Sequence, residues 1–142
     1  MILCGCLKGE KIMKHIEVVA GVIEFDNKIL CMERDRGKYD YVSFKWEFPG
    51  GKIEEGETKE QALKRELREE MEMDVELNDH FIDVYHEYPD FSMNMYVFKC
   101  TAKSKDLIMN FHHDFMWVEK NQLNKLDWAD ADKPIVKKLL SE

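Results

Sequence analysis

The chain has 142 residues, with 21 Lys or Arg against 29 Asp or Glu and a formal net charge of −8. It is long enough to bury one substantial core without disulfide or metal staples. The acidic balance lacks the basic stripe that releases counterions from nucleic-acid backbones, which argues against general nucleic-acid binding. No run approaches the roughly 20 apolar residues needed to span a bilayer.

Residues 1–14 contain a short apolar patch but neither a basic leading segment nor an adequate apolar stretch, so no signal peptide is expected. We read them as an N-terminal extension or tail, with Met13 as an alternative start and one domain over residues 15–142. Four cysteines do not make a disulfide framework: Cys4 and Cys6 sit in the tail, and Cys31 and Cys100 fall in apolar runs where buried free thiols are expected. A reducing, cytoplasmic setting follows.

His15 to Phe25 is rich in Val and Ile and reads as a strand, Asp26-Asn27 as its turn, and Lys28 to Glu33 as the hairpin partner. A polar, glycine-containing loop leads to a short aromatic strand, Phe44 to Phe48. Pro49-Gly50-Gly51 follows, where paired glycines permit unusual backbone conformations and close approach of carbonyls to a ligand. Thr58 is the expected N-cap of a helix from about Lys59 to Met73. Phe81 to Tyr88 and Met93 to Ala102 are strands joined by Pro89-Asp90-Phe91. Phe115 to Val118 is a further short strand, and a helix from about Lys133 to Leu140 closes the chain. Mixed strands with two main helices suggest an α/β class fold, an α/β/α sandwich around a central mixed sheet.

The chemistry concentrates between Gly51 and Glu70, in the pattern Gly51-x5-Glu57-x7-Arg65-Glu66-Leu67-x-Glu69-Glu70. On a helix, Glu66 and Glu70 stand one turn apart, with Glu69 on the same flank. Carboxylates crowded in this way cost little in water, but a partly buried cluster needs a proton or a cation. Oxygen ligands of this kind suit a hard divalent ion, Mg2+ or, as an alternative, Mn2+. A solvated acidic helix anchored by Leu63, Leu67 and Met71 would carry the same charges. The residues around the helix weigh against that simpler reading: Phe48-Pro49-Gly50-Gly51-Lys52 upstream, Glu57 at the helix entry, and Arg65 beside the cluster.

This segment resembles the Nudix box, the signature of enzymes that hydrolyse nucleoside diphosphates linked to another group. One position departs, with Glu72 standing where the family usually has a glycine, which places the helix C-cap in question rather than the chemistry. The resemblance extends over about Ile16 to Leu140 and is greatest to the MutT-like and cytidine triphosphate pyrophosphohydrolase branch. Three segments carry it: Ile16-Glu17-Val18-Val19-Ala20, Trp46-Glu47-Phe48-Pro49-Gly50-Gly51-Lys52 and Ala131-Asp132-Lys133-Pro134. It implies a Nudix-type sandwich and Mg2+-dependent hydrolysis of a nucleoside triphosphate, such as CTP, dCTP or 8-oxo-dGTP, to monophosphate and pyrophosphate.

By the same resemblance, Glu66, Glu69 and Glu70 hold the metal with the Gly50 carbonyl. Glu66 and Glu69 share the catalytic role with Arg65, while Arg65 and Glu57 also read as an ion pair holding the loop to the helix. Substrate-binding roles fall to Arg34, Glu47, Phe48, Pro49, Gly50 and Asp132. Trp46, Phe48 and Tyr88 are aromatic candidates for stacking a base or for the core. Asp132, if ionised, only accepts hydrogen bonds and so favours a donor edge of a base; the competing reading is a cap on the last helix. Many relatives place an acidic residue about six positions before a tryptophan. Here that position is Phe111, before Trp117, with His112, His113 and Asp114 one to three residues out of register, so an extra ligand or base from this loop stays open. The expected partner is a small nucleotide, with no nucleic acid and no membrane. Alternatives are hydrolysis of a nucleotide sugar or dinucleoside polyphosphate, or a nucleotide sensor without turnover.

Overall fold

The computed structural model describes residues 13–142. Cys4, Cys6 and all but the last two residues of the expected tail lie outside the described residues. Lys14 already belongs to the first strand.

Strand β1 (Lys14–Phe25) turns at Asp26 and Asn27, both with positive φ, into β2 (Lys28–Glu33). Two left-handed residues in a two-residue loop match the twist of a hairpin, and Asp and Asn are the non-glycine residues that tolerate this best. The expected aromatic strand shrinks to β3 (Trp46–Glu47), and Gly50–Lys52 forms a separate β4. Helix α1 (Lys59–Met71) starts at Thr58 through a capping box, in which the Thr58 hydroxyl accepts from the Gln61 N–H and the Gln61 side chain accepts from the Thr58 N–H. It ends two residues earlier than expected because Glu72 takes the left-handed conformation at φ 52°, donating to the Arg68 and Leu67 carbonyls. A glutamate thus does at the C-cap what glycine does more cheaply.

β5 (Val75–Glu87) starts six residues before the expected strand, and it pairs antiparallel with β6 (Phe91–Ala102). β7 (Asp114–Glu119) and α2 (Lys133–Leu140) complete the chain. Two irregularities in the β5 ladder, near His80, break the alternation there and hide the start of the strand from a period-2 reading.

The seven strands form one mixed sheet in the order β3-β2-β1-β6-β5, with β4 against β1 and β7 against β2. β1 runs parallel to β6 and antiparallel to β2 and β4. Alternate residues of β1 face opposite cores. Val18, Ala20 and Val22 pack with Ile135, Val136 and Leu139 of α2, while Val19 and Ile23 pack with Ala62, Leu63, Leu67 and Met71 of α1. A central strand buried on both faces accounts for the nearly unbroken apolar run in its sequence. The architecture is the expected α/β/α sandwich, and Cys31 and Cys100 are buried free thiols within it.

Candidate active site

Gly50 and Gly51 sit where β4 passes between β1 and α1. A side chain on Gly50 would lie 1.9 Å from the Val19 carbonyl oxygen, and one on Gly51 would lie 2.3 Å from the Glu66 carboxyl. Neither has a positive φ; among the described residues, Gly56 is the glycine that does. The pair is therefore required by close approach of the chain to β1 and to Glu66, which corrects the expectation that it supplies unusual backbone angles.

Arg65 joins the loop to the helix. Its five N–H donors reach Glu57 twice (2.7 and 3.0 Å), the Lys52 carbonyl (2.9 Å), Glu66 Oε1 (3.0 Å) and Glu69 Oε1 (3.1 Å). The bidentate, mostly buried contact with Glu57 is far more than a surface ion pair, and it holds the Glu57 carboxyl below its ordinary range. With every donor used on the protein, Arg65 fixes the loop against the helix and the cluster.

The three glutamates differ sharply. Glu69 is 57% exposed, whereas Glu66 and Glu70 are mostly buried. Burial raises the Glu66 carboxyl, with Arg65 working against it. Burial, then the charges of Glu66 and Glu47, push Glu70 up to about 8. Glu70 Oε1 is buried and has no hydrogen-bond partner. Among the described residues, no three acidic, His or Cys side chains are already gathered at ligating spacing; Glu66 and Glu69 instead each lend an oxygen to Arg65. The residues nevertheless fit a hard cation: oxygen donors, a buried carboxylate oxygen with nothing to bond, and a glycine cradle held open against Glu66.

Glu70 lines a cavity of about 540 Å³ together with Gly50, Gly51, Arg34, Glu47, Phe48 and Asp132. Of the expected substrate-binding residues, Pro49 does not line it. Pro49 is buried and its carbonyl accepts from the Gly21 N–H at 2.9 Å, so it fixes the loop on β1. Trp46 is also outside the cavity, bonded through its main chain to Asp127 and Ala129. Phe48 and Tyr88 line the cavity while packed in the core, Phe48 stacking on Trp128 at 4.6 Å. Tyr39 and Phe91, which sequence reasoning placed in a loop and a turn, add to this aromatic wall: Tyr39 stacks on Phe91 at 5.8 Å, and Tyr88 lies 5.0 Å from Phe91. No local pattern marked them, since the wall forms only when the loop after β2 folds over the β5–β6 turn.

Asp132 is 5% exposed, and its Oδ1 accepts from the Phe48 N–H at 3.0 Å. Its side chain makes no cap bond to α2, so the helix-cap reading is overturned. Burial, then the charge of Glu47, raises its carboxyl well above the ordinary range. A raised carboxyl keeps its proton to higher pH, and the protonated form both donates and accepts where the ionised form only accepts.

The loop before β7 supplies a residue left out of the expected site. Ile108 and Asn110 donate main-chain N–H groups to the Met71 and Glu70 carbonyls, and Asn110 Nδ2 donates to the Glu69 carbonyl at 2.8 Å. These bonds satisfy carbonyls that the end of α1 leaves open and dock the loop against it. Phe111, at the register of the acidic residue in relatives, is 67% exposed at the rim of the cavity. His112 turns inward at 7%, with Nε2 2.9 Å from Glu47 Oε2 and Nδ1 3.8 Å from Glu70 Oε2. The only sequence signal was its nearness to the expected register.

A glycine loop packed on a helix of glutamates at the mouth of an aromatic-walled cavity defines a phosphoanhydride hydrolase of the Nudix type. Residues 13–139 match the NUDIX domain family, and the chain belongs to it. It is 31% identical over 129 residues to the CTP pyrophosphohydrolase of Escherichia coli (strain K12), covering 91% of this chain and 94% of that protein. It is also 31% identical over 127 residues to the 8-oxo-dGTP diphosphatase of the same strain, covering 89% and 98%. The solution structure of the MutT protein, family Nudix hydrolase, from methicillin-resistant Staphylococcus aureus 252 is 39% identical and superposes with a TM-score of 0.71 over 92% of this chain and 98% of that one. The chain is thus a hydrolase, and its family generally uses a divalent metal. Among the described residues, no helix is long and apolar enough to cross a membrane.

Proposed function

We propose that this protein is a Mg2+-dependent nucleoside triphosphate pyrophosphohydrolase, with CTP, dCTP or 8-oxo-dGTP as the substrate class. The observation that carries the reading is that Glu70, buried with an unpartnered oxygen, and Asp132, a buried carboxyl able to meet a base edge, line the same cavity. Relatives that act on cytidine and oxidised guanine nucleotides support the substrate class.

The Gly50 carbonyl with Glu66, Glu69 and Glu70 would hold the cation. When bound, the cation neutralises phosphate oxygens and lowers the pKa of water. Glu66 Oε2 would take a proton from the attacking water, while Arg65 donates to Oε1 and fixes the carboxyl beside Gly51. Arg34, 3.4 Å from Glu47 Oε1, stands in the cavity as the candidate phosphate contact. In its protonated form Asp132 would pair with a donor next to an acceptor, as on cytosine N4 and N3 or guanine N1 and O6. With both ends of the nucleotide held, water attacks the β-phosphorus, the bond from that phosphorus to the α,β-bridging oxygen breaks, and the monophosphate leaves.

The test is a nucleotide screen with Mg2+ in oxygen-18 water. Release of pyrophosphate carrying the label is expected. Label in the monophosphate would move the attack to the α-phosphorus, and orthophosphate as the product would reject the assignment.

A further inference from the structure

The mechanism above leaves the His112 imidazole without a task. Its ring is more than nine-tenths buried, yet Nδ1 has no hydrogen-bond partner. Glu70 Oε1 is the other buried oxygen or nitrogen in this corner without one. The opposite ring nitrogen, Nε2, lies 2.9 Å from Glu47 Oε2, and in the neutral tautomer that donates there Nδ1 presents a lone pair to this corner. That lone pair is 3.8 Å from Glu70 Oε2. Nδ1 therefore faces the Glu70 carboxyl, whose other oxygen is likewise unpartnered, at a spacing too long for a hydrogen bond between them. A cation between them satisfies both.

We propose that His112 Nδ1 is a ligand of the divalent cation, sharing it with Glu70, and that the Glu47 carboxylate holds the imidazole in the ligating tautomer. The inference rests on the metal-dependent function above and adds a nitrogen to a ligand set otherwise made of oxygen. The 3.8 Å separation lies within the reach of two coordination bonds of about 2.0–2.2 Å each. Ligating histidines nearly always pass their second ring N–H to a carboxylate or carbonyl, as His112 does here.

The placement is built by the main chain on both sides. Asn110 N–H is bonded to the Glu70 carbonyl, and His113 N–H to the Glu33 carbonyl. His113 is the contrasting neighbour, with its ring 54% exposed. An imidazole in the set shifts the preference from Mg2+ toward Mn2+, since nitrogen ligands suit the transition metal and pure oxygen sets suit both.

The test uses the full chain without nucleotide, titrated with Mn2+ and read by pulsed electron paramagnetic resonance. We expect a nitrogen coupling of coordinated imidazole that changes when the histidines are labelled with nitrogen-15, a readout that needs no variant. His112→Ala should abolish the coupling and lower the ratio of Mn2+ to Mg2+ affinity, measured by calorimetry, at least about tenfold. His113→Ala should leave both unchanged. Mn2+ binding that depends on Glu70 but shows no nitrogen coupling would overturn this inference and leave the metal-dependent function standing. Failure of Mn2+ to bind at millimolar concentration would overturn both.

Discussion

Removing the titration of Glu70 should change how stability depends on pH. In the folded, cation-free protein the Glu70 carboxyl titrates near 8, against 4.5 ordinarily. Between those values the folded state holds a proton that the unfolded chain has lost, so stability falls as pH rises through the window. It is unaffected by this group below about 4.5 and above about 8. At roughly 1.4 kcal/mol per pH unit, the full window corresponds to at most about 5 kcal/mol, and the interval from pH 6 to 8 to somewhat under 3. For a domain of this size, that interval amounts to a loss of about 5–10 °C in Tm. Glu70→Gln keeps the volume and cannot ionise, so its Tm should be flatter over the same interval. Saturating Mg2+ or Mn2+ should raise the wild-type Tm more at pH 8 than at pH 6, because at the lower pH the ion must first displace the proton. Thermal melts of both proteins, with and without the ion, decide the matter. Parallel Tm profiles for wild type and Glu70→Gln would refute the claim that burial holds a proton on this carboxyl.

Glu70→Gln should also lower turnover at least about a hundredfold while leaving the fold intact, and near-normal activity at limiting Mg2+ would remove Glu70 from the ligand set. Arg65→Lys loses the forked contact with Glu57 and should lower kcat about 10–100-fold with a smaller effect on KM; equal losses in a phosphate-contact assay would place Arg65 on the substrate instead. Asp132→Asn fixes the donor and acceptor atoms that a neutral carboxyl can exchange. It should alter the kcat/KM ranking among cytidine, guanosine and oxidised guanosine triphosphates by roughly 1–3 kcal/mol, while a uniform change across bases would argue against base reading. Glu72→Gly relieves a left-handed residue at the C-cap of α1 and should stabilise the protein by about 1 kcal/mol in urea melts, with activity unchanged.

What could be read from the sequence was what local physics decides. Asp26-Asn27 between two apolar runs specifies a tight hairpin, Thr58 specifies a helix start, and Lys133-Pro134 specifies another. The alternation of β1 between two cores was implicit in its unbroken apolar run. The glutamates of α1 were legible because a three- and four-residue spacing is local. What failed depended on contacts across the fold. The early end of α1 came from a glutamate in a conformation that favours glycine. Pro49 reads as substrate-binding and Trp46 as either a stacking or a core residue, and the fold ties their main chains to β1 and to the segment around Asp127. Nor can the sequence show that burial, and then the charge of Glu47 85 residues away in the chain, raises the Asp132 carboxyl.

His112 shows the same limit from the other side. A register count pointed to Phe111, and counting cannot tell which of two adjacent side chains turns inward when the loop is pinned by N–H groups donated to the last carbonyls of α1. Those bonds are nonlocal, and they decide the matter by holding Asn110 and His113 while the residues between them divide between solvent and cavity. The site is accordingly a conflict that the fold tolerates. Arg65 spends its donors on one side of the carboxylate cluster, a proton occupies Glu70 near neutral pH, and two acceptors remain unmatched on the other side. A structural surface would have resolved this with a lysine or with water. A buried corner whose polar atoms lack protein partners is stable enough to fold and suited to a cation, so affinity for the ion and the raised Glu70 carboxyl have one physical origin in burial.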